Sequence, residues 1–301
     1  DAVFVSDQLK IPLEQISFSK EYKESVFSYF LSELETGNTP NPDILCNKEI
    51  KFKEFYNYAM SNDYDFIATG HYAITDNQSL YKGIDNSKDQ SYFLHAIDKE
   101  VLQKTIFPLG ELKKEKVRQI AKENSLITSN KKDSTGICFI GERPFPEFVG
   151  SYLSGEEGNI INENDDVIGI HQGLVFYTLG QRQGLGIGGV KGSPDLPWYV
   201  AKKNLKTNEL LCVQGNDHPL LFSRELSTKN LFKLEDSLPT SFEGTAKVRY
   251  RQEDQGCEIY VEDNALNIKF HKPQRSVTPG QSVVIYKNDK CLGGGEICTI
   301  N

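Results

Sequence analysis

The hydrophobic period of this chain changes near Gly150, and that change constrains its fold more than any other feature. Before it, Tyr22, Val26, Phe27, Phe30, Leu31 and Leu34 recur at helical spacing and stop at Gly37, a natural C-cap. The stretch Asn47 to Met60 repeats the pattern through Ile50, Phe55, Tyr56 and Ala59, and a further helix is expected at about Glu111 to Asn124. Between them Phe66-Ile67-Ala68-Thr69, ended by Gly70, reads as a short buried parallel strand. That order suits an α/β layer with ligands at the strand ends. After Gly150, Gly, Asn and Asp punctuate short runs at Val167 to Ile170, Leu174 to Leu179, Trp198 to Lys202 and Leu210 to Val213. The last eighty or so residues alternate through Val248 and Tyr250, Ile259 and Val261, Ile268 and Phe270, and Val283 and Ile285, the signature of a small barrel or sandwich. A chain of 301 residues exceeds one ordinary core. The expected fold class is therefore multidomain α/β plus β: an α/β domain over 1–148, a small central β-rich domain over 149–220 and a β-barrel over 221–301.

With 38% hydrophobic and 25% charged residues, the chain has an ordinary globular composition. No run approaches the roughly 18 to 20 apolar residues of a membrane span, and no signal-peptide pattern opens the sequence, so it reads as cytoplasmic with no membrane partner. The net charge of −8 argues against indiscriminate nucleic-acid binding. Any RNA contact must use local basic clusters, for which the candidates are Lys113, Lys114, Lys116 and Arg118, then Lys131 and Lys132, then Arg249 and Arg251. None of the six cysteines forms C-x-x-C, so no zinc or thioredoxin-type site is expected, and no residue set is assigned to a metal.

Two cysteines stand in informative settings. In Pro40-Asn41-Pro42-Asp43-Ile44-Leu45-Cys46, the prolines delay helix formation until after Asp43, which puts Cys46 in or near the first turn. The helix dipole and Lys48 would there favour the thiolate. Asp43 is placed either to cap the helix or to move a proton beside the thiol. Cys138 lies where the polar loop Lys131-Lys132-Asp133-Ser134-Thr135-Gly136 meets Ile137, Phe139 and Ile140. Lys132 and Arg143 would supply positive potential there, although a small buried hydrophobe is the plainer role. Cys212, Cys257, Cys291 and Cys298 lack charged neighbours and read as core packing.

Gly184-Leu185-Gly186-Ile187-Gly188-Gly189 has the look of a phosphate loop, yet Lys191-Gly192-Ser193-Pro194 after it cannot open a helix comfortably, so a bare loop approaching RNA or another domain is expected. Thr69-Gly70-His71-Tyr72 follows the expected strand, where His71 is placed for a phosphate or base, or simply for packing.

Taken together, these segments resemble the bacterial tRNA-specific 2-thiouridylase family, a branch of the PP-loop ATP pyrophosphatases. The resemblance rests on TGNTPNPDILCNKEIKF from Thr36, ATGHYA from Ala68, KDQSYFL from Lys88, KKDSTGICFIGERPFPEF from Lys131, HQGLVFYTLGQRQGLGIGG from His171, VRYRQ from Val248, TPGQSVVIY from Thr278 and CLGGGEI from Cys291. It implies a PP-loop α/β domain, a central domain and a C-terminal barrel. It also implies Cys46 as nucleophile, Cys138 as carrier of a persulfide from a sulfur-relay donor protein, and Asp43 as acid/base group. Asn41, Pro42 and Asp43 would surround the target base, with His71, Lys88, Asp89, Gln90, Arg249, Tyr250 and Gln281 as tRNA contacts and Gly70 in the pocket for ATP and its Mg2+. The implied reaction adenylates C2 oxygen of the wobble uridine and replaces it with sulfur, leaving a Cys46–Cys138 disulfide. The family opens with a strand and an SGGxDS loop around the ATP phosphates. These residues contain no counterpart, and Asp1-Ala2-Val3-Phe4 corresponds to a later helix, so the ATP loop is expected to be missing from this stretch. Two alternatives follow: a non-catalytic tRNA-binding protein derived from the family, and a thiol redox protein using the same cysteines.

Overall fold

The computed structural model describes residues 1–132, 138, 145–189 and 195–301. Its first part is built on two long helical runs. One passes through Ser19–Tyr22, Lys23–Phe27 and Ser28–Glu35, with the middle segment wound as π-helix. Gly37, at φ 81°, ends it: the Gly37 N–H donates to Leu34 O and the Asn38 N–H to Glu33 O, the paired bonds of a Schellman cap. The second run starts earlier than the sequence implied. Asn41, not Asp43, is the N-cap, its Oδ1 accepting from the Asp43 N–H at 3.1 Å, and Pro42 occupies the first helical position, where a missing N–H costs nothing. The run continues through Pro42–Leu45, a π-helical Cys46–Glu54 and Phe55–Ser61. Val26, Phe30 and Leu34 bury against Cys46 and Ile50, and Phe148 and Val149 of helix Phe145–Gly150 complete that cluster.

Strand β1 (Ile67–Ala68) pairs in parallel with β4 (Thr105–Ile106), Ile67 opposite Thr105. The parallel pairing matches expectation but full burial does not: Ile67 is 3% exposed whereas Phe66 is 52% exposed. Between them the hairpin of β2 (Ala73–Thr75) and β3 (Leu80–Lys82) leaves this layer and joins the C-terminal sheet, β3 pairing with β15 at Tyr81 opposite Lys290. The helix expected at Glu111 to Asn124 spans Lys114–Glu123, with Asn124 at its end.

The central sheet has the order β6-β5-β8-β7, built from β5 (Gly158–Ile161), β6 (Val167–His171), β7 (Trp198–Asn204) and β8 (Glu209–Gln214). The expected strand at Leu174 to Leu179 is instead a 3-10 turn, Leu174–Phe176. Gly173 at φ 128° breaks the extended backbone, and Leu174 and Tyr177 drop into the core beside Ile160, Val200 and Leu210.

Strands β9 (Phe222–Thr228), β10 (Phe232–Lys233), β11 (Ser241–Lys247), β12 (Gln255–Glu262), β13 (Ala265–Arg275), β14 (Ser282–Lys287) and β15 (Lys290–Ile300) make the last domain. The order β14-β11-β12-β13-β9-β15 closes through a β14–β15 pairing, so six strands form a barrel with no free edge among them. Its filling includes Ala246, Ile259, Ile268, Phe270, Val283 and Ile285, which are the inward members of the alternating pattern. Val248 and Tyr250 were expected in a strand but occupy the turn after β11, where the Val248 N–H donates to Gln252 Oε1. Where β10 and β14 flank β15 a side chain has no room: a Cβ on Gly293 would stand 2.0 Å from Phe232 O. Cys212, Cys257 and Cys291 are buried as expected, whereas Cys298 faces outward against Ser227.

Candidate functional site

Cys46 lies just beyond the first turn of its helix with 0% of its surface exposed, and half-buried Cys138, remote from it in sequence, comes close enough for the two thiols to hydrogen-bond. Asp43, one turn before Cys46, accepts hydrogen bonds from both the thiol and the backbone N–H of Cys138. Three of the residues singled out in the sequence therefore meet at one point. Burial pushes the Asp43 carboxyl up, and a Lys51 ammonium partly opposes that rise.

The charge on the pair is distributed differently from the sequence reading. The hydrogen bond with Cys138, together with burial, pushes the Cys46 thiol up, so Cys46 is the protonated partner. The same hydrogen bond, with help from Lys51, brings Cys138 down to about 7. The helix dipole does little against this at Cys46, because its effect falls off within the first turn and a fully buried thiol pays for desolvation. Lys48 does not compensate: its Nζ is 3.1 Å from Glu49 and lies over the Phe232 ring. Among the described residues, the cation that acts on Asp43, Cys46 and Cys138 is Lys51. The Tyr22 phenol borders the same group and is held protonated by burial and by the two cysteines. Lys132 is exposed at the surface, and Arg143 falls outside the described residues.

The loop before the cysteine helix is fastened from two sides. The Gln281 Nε2 donates to Thr39 O at 2.6 Å, the Thr39 N–H donates to Pro279 O at 2.9 Å, and the Thr39 and Thr178 hydroxyls meet at 3.4 Å. Barrel and central domain thus both hold the segment that leads into Asn41, Pro42 and Asp43. Gln281, expected at the tRNA, holds that loop in place.

A second group of candidates shares a polar groove of about 740 Å³ between the loop 85–90 and the turn 248–254, lined by Lys88, Asp89, Tyr250 and Arg251. Asp89, 4% exposed, is spent on structure: it accepts from the Gly83 and Ser91 N–H groups. Gln90 likewise accepts from the Tyr72 N–H, and Arg249 donates to Ser276 O. Tyr250 donates to Lys88 O and packs on Phe93 at 4.4 Å, and Phe93 O accepts from Asn47 on the cysteine helix. The groove and the cysteine helix are in this way packed through one aromatic pair. The basic clusters Lys113 to Arg118 and Lys131 also approach each other, Arg118 donating to Lys131 O.

His71 is packed between Phe52 and Phe107, and burial, reinforced by Lys51, pushes it down to about 3, so it is neutral and offers no charge to a phosphate. Its Nδ1 meets Thr69 Oγ1 at 2.9 Å. Gly70, at the end of β1, is exposed, and a Cβ there would meet only Leu109 at 3.8 Å. The Gly184 to Gly189 loop runs along a cleft of about 640 Å³ with Arg182 and Trp198. Among the described residues no group of three or more His, Cys, Asp or Glu gathers as a metal site, and no helix is long and apolar enough to cross a membrane. Neither Lys51 nor Tyr22 was singled out by sequence reasoning for chemistry; Tyr22 appeared only as a helix-face residue.

The fold is an α/β domain, a central four-stranded sheet and a terminal six-stranded β-barrel, with Cys46, Asp43 and Cys138 gathered at the start of the cysteine helix. Residues 1–142 match the tRNA methyl transferase HUP domain, residues 146–214 the tRNA methyl transferase PRC-barrel domain, and residues 223–297 the aminomethyltransferase beta-barrel domain. The chain is 55% identical over 304 residues to the tRNA-specific 2-thiouridylase MnmA of Francisella tularensis subsp. holarctica (strain FTNF002-00 / FTA), covering 99% of this chain and 85% of that relative. It is 54% identical, with the same coverage, to the protein of that name from Francisella tularensis subsp. novicida (strain U112). The chain belongs to the tRNA-specific 2-thiouridylase family.

Proposed function

We propose that this chain is a tRNA-uridine 2-sulfurtransferase that uses Cys138 to carry persulfide sulfur and Cys46 to release it onto C2 of the wobble uridine. The observation that carries the reading is the convergence of Cys46, Cys138 and Asp43 into one hydrogen-bonded group.

The residues divide the work by their protonation. Cys138, near 7, is the thiol best able to act as an anion at neutral pH and so to accept a sulfur atom from a donor's persulfide. The outer sulfur of the Cys138 persulfide would bond to C2 as the C2 oxygen leaves. Cys46, once its proton passes to Asp43, would attack the inner Cys138 sulfur. That breaks the Cys138–sulfur bond, releases thiolated uridine and leaves a Cys46–Cys138 disulfide, whose two electrons an external thiol reductant must restore. Asp43, raised by burial, is suited to hold that proton. The target base has to leave its stack to reach the pair, with Asn41 and Pro42 on the rim and Lys88, Tyr250, Arg249 and Arg251 offering groove and turn contacts to the tRNA.

ATP would supply the leaving group by adenylating the C2 oxygen. The exposed Gly70 backbone at the end of β1, with no side chain closer than Leu109, fits the approach of a flat adenine. Any Mg2+ would travel with the nucleotide phosphates. A sulfur-relay protein is the expected donor, and the cytoplasm the expected compartment.

Full-length enzyme carrying Cys46→Ser or Cys138→Ser, given ATP, a persulfide donor and tRNA, is expected to form no 2-thiouridine by nucleoside mass spectrometry. Retained product in either variant overturns the assignment. Salt-sensitive tRNA binding without product in the unaltered enzyme would instead favour a tRNA-binding protein, and tRNA-independent disulfide exchange a redox protein.

A further inference from the structure

The cysteine helix changes register at the point where the chemistry sits. From Cys46 to Glu54 the backbone is π-helical, bonding five residues back, as in the Phe55 N–H to Ile50 O bond. In an α-helix the residue five positions after Cys46 would point about 140° away from it. The wider π register turns that residue back toward the side of Cys46, and it is Lys51, whose charge acts on both thiols.

Lys51 is also held in place. Its Nζ donates to Asn47 Oδ1 at 2.9 Å, and Asn47, itself buried, donates through Nδ2 to Phe93 O. Among the described residues no carboxylate lies within ion-pair distance of Lys51, in contrast to Lys48 and Lys53, which share Glu49. A half-buried ammonium without a salt bridge keeps its field for whatever anion forms nearby. Among the described residues, the other titratable groups facing the pair cannot supply it: Asp43 carries the opposite sign, Tyr22 is a neutral phenol, and His71 is a neutral ring.

We propose that Lys51 is the fixed cation of the cysteine pair, a positioning residue that the Asn47 tether and the π-helical register hold toward the Cys46 side of the helix to stabilise anionic sulfur on Cys138. The inference rests on the sulfur-transfer reading for its purpose, but not for its test. Asn47 serves as the tether of Lys51, and the aromatic pair Phe93 and Tyr250 links that tether to the polar groove.

The test uses the full chain without tRNA or ATP. The rate of Cys138 alkylation by iodoacetamide is followed against pH by peptide mass spectrometry in the unaltered protein, Lys51→Gln, Lys51→Met and Lys51→Arg. Gln keeps a hydrogen bond to Asn47 and removes only the charge. The midpoint of Cys138 alkylation is expected to rise by about one pH unit in Lys51→Gln and Lys51→Met, roughly a tenfold loss of thiolate near neutrality, and to return toward the original value in Lys51→Arg. A midpoint unmoved in whichever neutral variant keeps the unaltered circular dichroism spectrum overturns the role. So does an equal rise in Lys51→Arg, which would mark a shape effect. Failure of tRNA thiolation in the unaltered enzyme would sink the sulfur-transfer reading while leaving this result standing.

Discussion

At the scale of single residues, Cys138 and Asp43 raise the cost of ionising Cys46, Asp43 raises it for Cys138, and Lys51 lowers it for all three. Asp43 both accepts hydrogen bonds from Cys138 and opposes its ionisation. Replacing Asp43 with Asn should therefore have opposite effects on two measurements. Alkylation of Cys138 at pH 6 should speed up, because a nearby negative charge is removed and more thiolate forms. Thiolation of tRNA should fall by about 10² to 10⁴, the usual worth of a positioned proton acceptor. Parallel loss of both would mean that Asp43 only supports the fold. Both cysteine motifs were legible in the sequence, since Pro40-Asn41-Pro42 marks a helix boundary close to Cys46, though not its first residue, and a glycine precedes Cys138 by two positions. Which cysteine ionises was not legible, because it depends on Cys46 being sealed from water and on Lys51, neighbours set by packing.

At the scale of elements, the cysteine helix is defined by its cap and its register. Asn41 satisfies two N–H groups of the first turn through one side-chain oxygen. Asn41→Ala should lower stability by about 1 kcal/mol in urea unfolding and, since the freed turn carries Asp43, reduce thiolation more than it reduces stability. Loss of stability with unchanged turnover would separate the cap from the site. The alternating barrel strands and the two helical faces were readable because one buried face imposes a period of two or of 3.6. Three elements escaped that logic. Leu174–Phe176 is apolar enough for a strand, but Gly173 turns it inward; Val248 to Tyr250 continues the alternation after the backbone has left the sheet; and the π register of Cys46–Glu54 leaves no mark on composition.

At the scale of the molecule, the first domain and the barrel are joined by strand pairing, whereas the central sheet is separate and meets them through loop and side-chain contacts. The β2–β3 hairpin of the first domain extends the barrel sheet, and the Tyr286 ring of the barrel has Lys82 on it at 4.4 Å and Lys247 at 5.6 Å, these lysines in turn pairing with Asp254. No local pattern announced this, since the pairing of Leu80 with Cys291 joins segments remote in sequence. The domain series itself followed from the change of period near Gly150. The groove along this seam leads to a binding prediction. Lys88→Ala and Arg251→Ala should each weaken tRNA binding and lower the slope of log affinity against log salt by about one, the signature of one lost phosphate contact. An unchanged slope in both would move the tRNA path elsewhere.

The most direct test of the account is peptide mapping of the enzyme after a single turnover with tRNA, ATP and a persulfide donor in the absence of reductant. The sulfur-transfer reading predicts a Cys46–Cys138 disulfide in proportion to the 2-thiouridine formed. Thiolated tRNA accompanied by two free thiols at these positions would contradict it.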